Sequence, residues 1–204
     1  MNALLFSRRL LVAAAVGATV AAIACNDPVL DDEVSALGDE VDGIPKGEFH
    51  RPGQDCQLCH QEGGKASGKR FTVAGTIFAQ PSRDVGVDSV EVRLTDSEGT
   101  KFIAKTNCVG NFFVTEAEWS PKFPILVAIN KNGLQRNMSS VIGRSSGCGH
   151  CHKLEQTDKT QQMPHVYLFG TDEPGFTDGD PTCPTSAIRP GTKRRAEASR
   201  ACGM

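Results

Sequence analysis

Two short segments of the chain repeat one arrangement of thiols and an imidazole. Residues 56–60 read CQLCH (the first motif) and residues 148–152 read CGHCH (the second motif). In each motif two residues separate the cysteines, and a histidine follows the second cysteine directly. Two thiols at this gap can bond covalently to one edge of a planar group, and the adjacent imidazole falls beneath that group as a metal ligand. The pattern therefore predicts two covalently attached metal cofactors.

Haem c is the cofactor whose chemistry explains this order of residues. The two thiols of a motif would add to the two vinyl groups of one haem as thioethers, and the histidine would become the proximal iron ligand. The predicted attachment residues are Cys56, Cys59, Cys148 and Cys151. The predicted proximal ligands are His60 and His152, which leaves the opposite face of each iron for a sixth ligand.

Two other uses of the same four cysteines remain open. They have the knuckle spacing of a four-cysteine zinc site, and they could also form two disulfides. Neither use explains why a histidine follows directly in both motifs. Zinc thiolates would also compete with oxidation outside the cytosol.

The candidates for the sixth ligands are the remaining histidines, with Met138 and Met163 as thioether options. His50 precedes the first motif in a segment whose proline and glycine allow the chain to fold back, and His165 follows the second motif. Met163 is the alternative to His165 and would raise the potential of that haem. His150 lies inside the second motif, where it is poorly placed over its own haem but could reach the other. A surface or turn histidine is the alternative role for each.

The first 24 residues have the pattern of an export signal. Arg8 and Arg9 precede an apolar run at 10–24, which is too short for a membrane span and typical of a signal peptide. The run ends in an A-x-A site at Cys25 that resembles the bacterial lipobox, although Ala22 stands where leucine is usual. We therefore expect Cys25 to be acylated. A twin-arginine route is less favoured, because haem is attached after the chain has crossed the membrane unfolded.

The segments on either side of the central region have tail-like compositions. Residues 25–48 are acidic and lack apolar periodicity, which predicts a flexible tether. Residues 171–204 are rich in proline and glycine and then basic, so they are either a solvated tail or a segment that docks on an acidic patch or haem propionates. We expect Cys183 and Cys202 in this tail to form a disulfide, and the competing arrangement joins Cys108 to either of them.

The central region, 49–170, has the pattern of a β protein. Turn signals separate short β-branched and aromatic runs, which indicates an antiparallel sandwich of seven strands with the two motifs in loop segments. We expect the run at 123–130 to be a central strand buried on both faces. The predicted strands are 71–79, 88–96, 100–106, 112–115, 123–130, 134–142 and 165–170. The nearly balanced charge, 22 Lys and Arg against 24 Asp and Glu, argues against binding nucleic acid.

Part of this region resembles the carboxypeptidase regulatory-like domain, a transthyretin-like β-sandwich. The resemblance rests on the V-x-V-x-L strand and on T-x-x-x-G-x-F at Thr106, Gly110 and Phe112. It covers about sixty residues and implies a scaffold rather than a chemistry. Cys108 departs from it, since a small polar residue is usual at that turn.

As a whole the chain resembles an exported dihaem cytochrome c lipoprotein of the myxobacterial type. The resemblance implies electron transfer with redox partner proteins by a domain that a lipid anchors to a bacterial membrane, facing the periplasm or the cell surface. A dihaem peroxidase-like enzyme and an adhesion or binding module with structural haem are the alternatives. No nucleophile–base motif is evident in the sequence.

Overall fold

The structure is a computed structural model that describes residues 27–40, 47–81, 83–152 and 163–170. The chain divides into two compact units, Met1–Gly38 and Asp39–Met204. The described part of the first unit contains helix α1, Pro28–Ala36. The Asp27 side chain caps this helix by accepting the backbone N–H groups of Val29 and Leu30. The tether predicted for 25–48 therefore contains regular structure, which its lack of apolar periodicity did not indicate.

The second unit is built mainly of strands, as predicted. The described strands are β1 (Phe71–Gln80), β2 (Arg83–Gly86), β3 (Glu91–Thr95), β4 (Lys101–Lys105), β5 (Asn111–Thr115), β6 (Leu126–Lys131), β7 (Leu134–Asn137) and β8 (Val166–Tyr167). Two short helical turns accompany them. They are the 3₁₀ turn at Cys56–Leu58 and helix α2 at Cys148–Cys151.

These strands form two four-stranded sheets. One sheet has the order β2–β1–β5 with β8 also paired to β1, and the other has the order β4–β3–β6–β7. All pairs are antiparallel except β1 with β8, which is parallel. The described residues thus hold eight strands instead of the seven predicted. The sequence analysis missed β2 and the parallel pairing.

Both sheets contribute side chains to one hydrophobic core. Strand β3 buries Val92 and Leu94 and turns Arg93, which lies between them, outward, as its alternation predicted. Strand β6 lies between β3 and β7, but it is not buried on both faces, because the Leu126 side chain is 55% exposed. The continuous apolar run at 123–130 therefore belongs to a strand with one solvent-exposed face.

Within the described residues, no helix combines the length and the apolar character that crossing a membrane requires.

Candidate functional site

Both motifs pack against strand β1. In the first motif, the Asp55 carboxylate begins the 3₁₀ turn by accepting the N–H of Gln57 at 3.1 Å. The loop that enters the second motif pairs with the strand, since the N–H of Ala74 donates to the carbonyl of Ser146 at 3.2 Å. Gly75 faces Cys148 so closely that an added Cβ would lie 2.6 Å from the cysteine Cβ. Gln57 of the first motif also bonds the carbonyl of Phe71 in β1, so one strand supports both motifs.

The two motifs also contact each other. Gly149 in the second motif lies over the backbone that leads into the first, and an added Cβ there would lie 2.5 Å from the carbonyl oxygen of Gln54. His150 extends to the same place, with its Nδ1 atom 3.5 Å from Oδ2 of the buried Asp55. Although residues 56–60 and 148–152 are far apart in the chain, they meet as neighbours in the fold.

The side chain of Gln57 links the first motif to the loop before the second. Its Nε2 atom donates to the carbonyls of Phe71 and Thr72, each at 3.1 Å, and to the hydroxyl of Ser146 at 3.0 Å. Its Oε1 atom accepts the N–H of Ser146 at 3.2 Å and the hydroxyl of Ser145 at 3.4 Å. A residue between the two cysteines of one motif thus holds the approach to the other motif.

The four motif cysteines are free thiols in different surroundings. Cys56, Cys59 and Cys148 are half-buried, whereas Cys151 is exposed. Burial raises the pKa of Cys56 to about 12, and the charge of Asp55 acts in the same direction. Burial likewise raises the pKa of Cys148 to about 12, with smaller contributions from Cys56 and Asp55. Across the described part of the chain, no three or more His, Cys, Asp or Glu side chains converge to hold a metal ion.

His60 is held in one tautomer. Its Nδ1 atom lies 2.7 Å from the carbonyl oxygen of Lys69, and a carbonyl only accepts, so Nδ1 carries the proton and the lone pair lies on Nε2. The ring is 8% exposed and stacks on Phe71 with 4.0 Å between centroids. Burial lowers the pKa of His60 below its ordinary value, which keeps the ring neutral.

His152 repeats this arrangement in the second motif. Its Nδ1 atom lies 2.6 Å from the carbonyl oxygen of Pro164, so the lone pair again lies on Nε2. The same segment is held by the N–H of Met163, which donates to the carbonyl of Cys151 at 3.1 Å. Each motif histidine therefore offers Nε2 as an acceptor, and in each case a backbone carbonyl fixes the ring through Nδ1.

The structure places the candidate sixth ligands differently. The ring of His50 lies 5.9 Å from the ring of His60, and its Nδ1 atom bonds the carbonyl oxygen of Gly47. His165 is 4% exposed and stacks on Phe78 at 4.4 Å. Met163 is 44% exposed, beside the second motif. His50 is thus brought to the first motif, and Met163 and Pro164 are brought to the second, while the His165 ring lies beside Gly53 in the loop before the first motif.

The remaining cysteines bear on the predicted disulfide. Cys108 is disulfide-bonded, and its partner lies outside the described residues, because the other four described cysteines are free. Cys25, Cys183 and Cys202 also lie outside them. Since Cys108 takes one of these three as its partner, the pairing of Cys183 with Cys202 and the acylation of Cys25 exclude each other. Each stays a prediction, as do the signal peptide at 1–24 and the tail beyond Gly170.

The sequence analysis missed three residues that organise the site: Asp55, Gln57 and Asn111. Asn111 is a buried residue of β5 whose amide bonds the backbone of the loop that carries His50. An aspartate just before the first motif is a helix-cap signal that could have been read. No local pattern points to the other two, because their partners are distant in the chain.

Comparison with known proteins gives no match: no family model, no curated protein and no solved structure matches this chain.

Proposed function

We propose that the chain is an exported c-type cytochrome with two covalent haems that transfers electrons at a membrane surface. The observation that carries the proposal is the repeated state of His60 and His152. Each ring donates Nδ1–H to a backbone carbonyl and leaves Nε2 as a lone-pair donor for a metal. Metal-bound histidines generally have such a partner, which fixes the tautomer and the ring orientation.

The chain's own residues would hold the cofactors as follows. Bound haem would supply a one-electron redox centre in each motif. The thiols that would attach it are Cys56 and Cys59 in the first motif, and Cys148 and Cys151 in the second. The proximal ligands would be His60 and His152. The contact between Gly149 and the backbone of Gln54 supports two centres that are close neighbours, which suits a relay.

The sixth ligands in this proposal are His50 at the first centre and His165 at the second. The 5.9 Å spacing between the rings of His50 and His60 supports the first assignment. The second assignment rests on the sequence, since the buried His165 ring packs on Phe78 and beside Gly53, in the loop before the first motif. Met163 is the alternative at the second centre.

The scaffold and the location complete the proposal. Two sheets around one core fit the sandwich of the carboxypeptidase regulatory-like type that the sequence resembles. Acylation of Cys25 would anchor the domain to a bacterial membrane, facing the periplasm or the cell surface. Its partners would be redox proteins rather than nucleic acid, and the basic tail at 171–204 could contribute to docking.

The test is to produce the full chain in a bacterium that attaches haem c and to analyse the mature protein. We expect a pyridine haemochrome spectrum of two haems per chain, and a mass that includes both haems and a lipid on Cys25. Replacing Cys59 or Cys151 by alanine should weaken one attachment each. Replacing Gln61, an exposed residue directly after the first motif, by alanine is the control and should leave two haems.

Further measurements separate the alternatives. Rapid reduction by small electron donors without peroxide turnover supports a relay, whereas peroxide turnover would favour the peroxidase-like enzyme. Haem that no redox partner reduces would favour the adhesion or binding module. A mature chain with no haem, and with zinc or disulfides at the four cysteines, would overturn the proposal.

A further inference from the structure

The loop that carries His50 is fastened to the sheet by one buried side chain. Nδ2 of Asn111 donates to the carbonyl of His50 at 3.0 Å and to the carbonyl of Glu48 at 3.2 Å. Oδ1 of Asn111 accepts the hydroxyl of Thr76 at 2.8 Å. The Thr76 oxygen in turn accepts the N–H of Gly53 at 2.8 Å. The network therefore holds the loop on both sides of His50.

We propose that Asn111, supported by Thr76, is a positioning residue that holds His50 beside His60 as the sixth ligand of the first haem. This inference rests on the proposed function. It goes further by naming the residues that keep an otherwise irregular loop in a ligating position.

The rings of His50 and His60 lie close enough for both side chains to hold one metal. The rings of His50 and His60 lie 5.9 Å apart. The Nδ1 atom of each bonds a backbone carbonyl, so both rings keep Nε2 for a metal.

The chemistry of the Asn111 side chain makes it specific for this task. Both hydrogens of the amide go to carbonyls, and the amide oxygen accepts a hydroxyl, so the group is used fully. Asn111 and Thr76 are both buried, where hydrogen bonds are stronger and a partly broken network is costly. Aspartate has the same shape but would turn an acceptor oxygen toward two carbonyl oxygens.

A second anchor keeps the loop attached when Asn111 is changed. Nδ2 of Asn107 donates to the carbonyl of Glu48 at 2.7 Å, independently of Asn111. Loss of the Asn111 amide should therefore release the backbone at His50 without detaching the whole loop. The expected defect is a misplaced ligand rather than an unfolded domain.

The experiment uses the full haem-loaded chain and records its visible and electron-spin spectra. The variants are Asn111→Asp, Thr76→Val and His50→Ala, with Asn130→Ala on β6 of the other sheet as the matched control. We expect Asn111→Asp and His50→Ala to convert one haem of the two, about half of the low-spin signal, to high spin. Thr76→Val should give a smaller conversion, and the control should give none. Added imidazole should restore the low-spin signal, which it would not do for a purely structural defect.

The possible failures are distinguishable. If both Asn111→Asp and Thr76→Val keep the wild-type low-spin signal while His50→Ala loses half of it, the positioning role is refuted and the ligand assignment stands. If His50→Ala also keeps the signal, His50 is not the ligand and the inference is refuted with it. If the wild-type chain carries no haem, the proposed function itself is refuted.

Discussion

Replacing Gln57 by alanine tests whether the two motifs are built as one unit. Its side chain makes five hydrogen bonds, all to backbone or hydroxyl groups of β1 and of the loop before the second motif. Alanine removes every one of them and leaves the carbonyls of Phe71 and Thr72 without this donor. The variant should therefore lose stability and loosen the loop at Ser145 and Ser146.

The size of the loss follows from the geometry. Two hydrogens on Nε2 serve three acceptors, and the 3.4 Å bond from the exposed Ser145 is weak, so the five contacts amount to about three effective bonds. At about 1 kcal/mol each, the free energy of unfolding should fall by about 3 kcal/mol. Gln57→Glu keeps the shape but turns an oxygen toward the carbonyl oxygens of Phe71 and Thr72, so we expect a loss at least as large.

Denaturant unfolding of the full chain, followed by the fluorescence of Trp119, measures this difference. Gln61→Ala is the matched control, because Gln61 is the same residue type four positions later and its side chain is exposed. A double-mutant cycle of Gln57→Ala with Ser146→Ala should give a coupling energy of about 1 kcal/mol. If the free energy of unfolding of Gln57→Ala lies within about 0.5 kcal/mol of that of the Gln61→Ala control, the Gln57 hydrogen bonds do not stabilise the site and the reasoning is refuted.

Two further predictions concern the second motif. When the chain is produced without export or haem, Cys151 should react with iodoacetamide at pH 8 at least about 100-fold faster than Cys148. The reason is that the pKa of Cys148, raised to about 12, leaves very little thiolate on that residue. Equal rates for the two cysteines in quantitative peptide mapping would contradict this raised pKa. Gly149→Ala should lower the free energy of unfolding by about 2 kcal/mol and reduce loading of the second haem, because its Cβ would meet Gln54. Gly143→Ala, where an added Cβ meets nothing within 4 Å, should do neither, and a Gly149→Ala variant as stable as this control would show that the motifs can separate.

The sequence indicated the fold well where a strand has one buried face. The alternation in β3 predicted which residues enter the core, and Val92 and Leu94 do so. Strand β2 was missed, because Arg83–Gly86 has no alternating pattern and pairs with β1 only through tertiary context. The apolar run at 123–130 was interpreted as a strand buried on both faces. The periodicity of a continuous apolar run does not show whether one face of the strand is exposed. Helix α1 had a readable cap at Asp27 and a proline at its first position, but no apolar stripe.

The site was predictable only where its chemistry is local. Two thiols and an imidazole within five positions are visible in the chain, so both motifs and their histidines, His60 and His152, could be singled out as candidates. The carbonyls that bond these histidines could not be named. The bond from His60 to Lys69, nine positions later, depends on how the chain between the two residues folds back. The hydrogen bond from Gln57 to Ser146 joins residues 89 positions apart, and no sequence pattern indicates a contact of that separation.

The turn at 106–112 shows how a β scaffold can serve such a site without a helical framework. The residues that carry the family resemblance stabilise the sheets. The hydroxyl of Thr106 bonds the carbonyl of Val87, and Gly110 adopts a φ of 81° that favours glycine. Two asparagines of the same turn have another role, since Asn107 and Asn111 bind the loop that carries His50. Residues that hold the sheets and residues that hold the loop with His50 therefore lie side by side in this turn, so a change at Asn111 should displace His50 while Thr106 still maintains the fold.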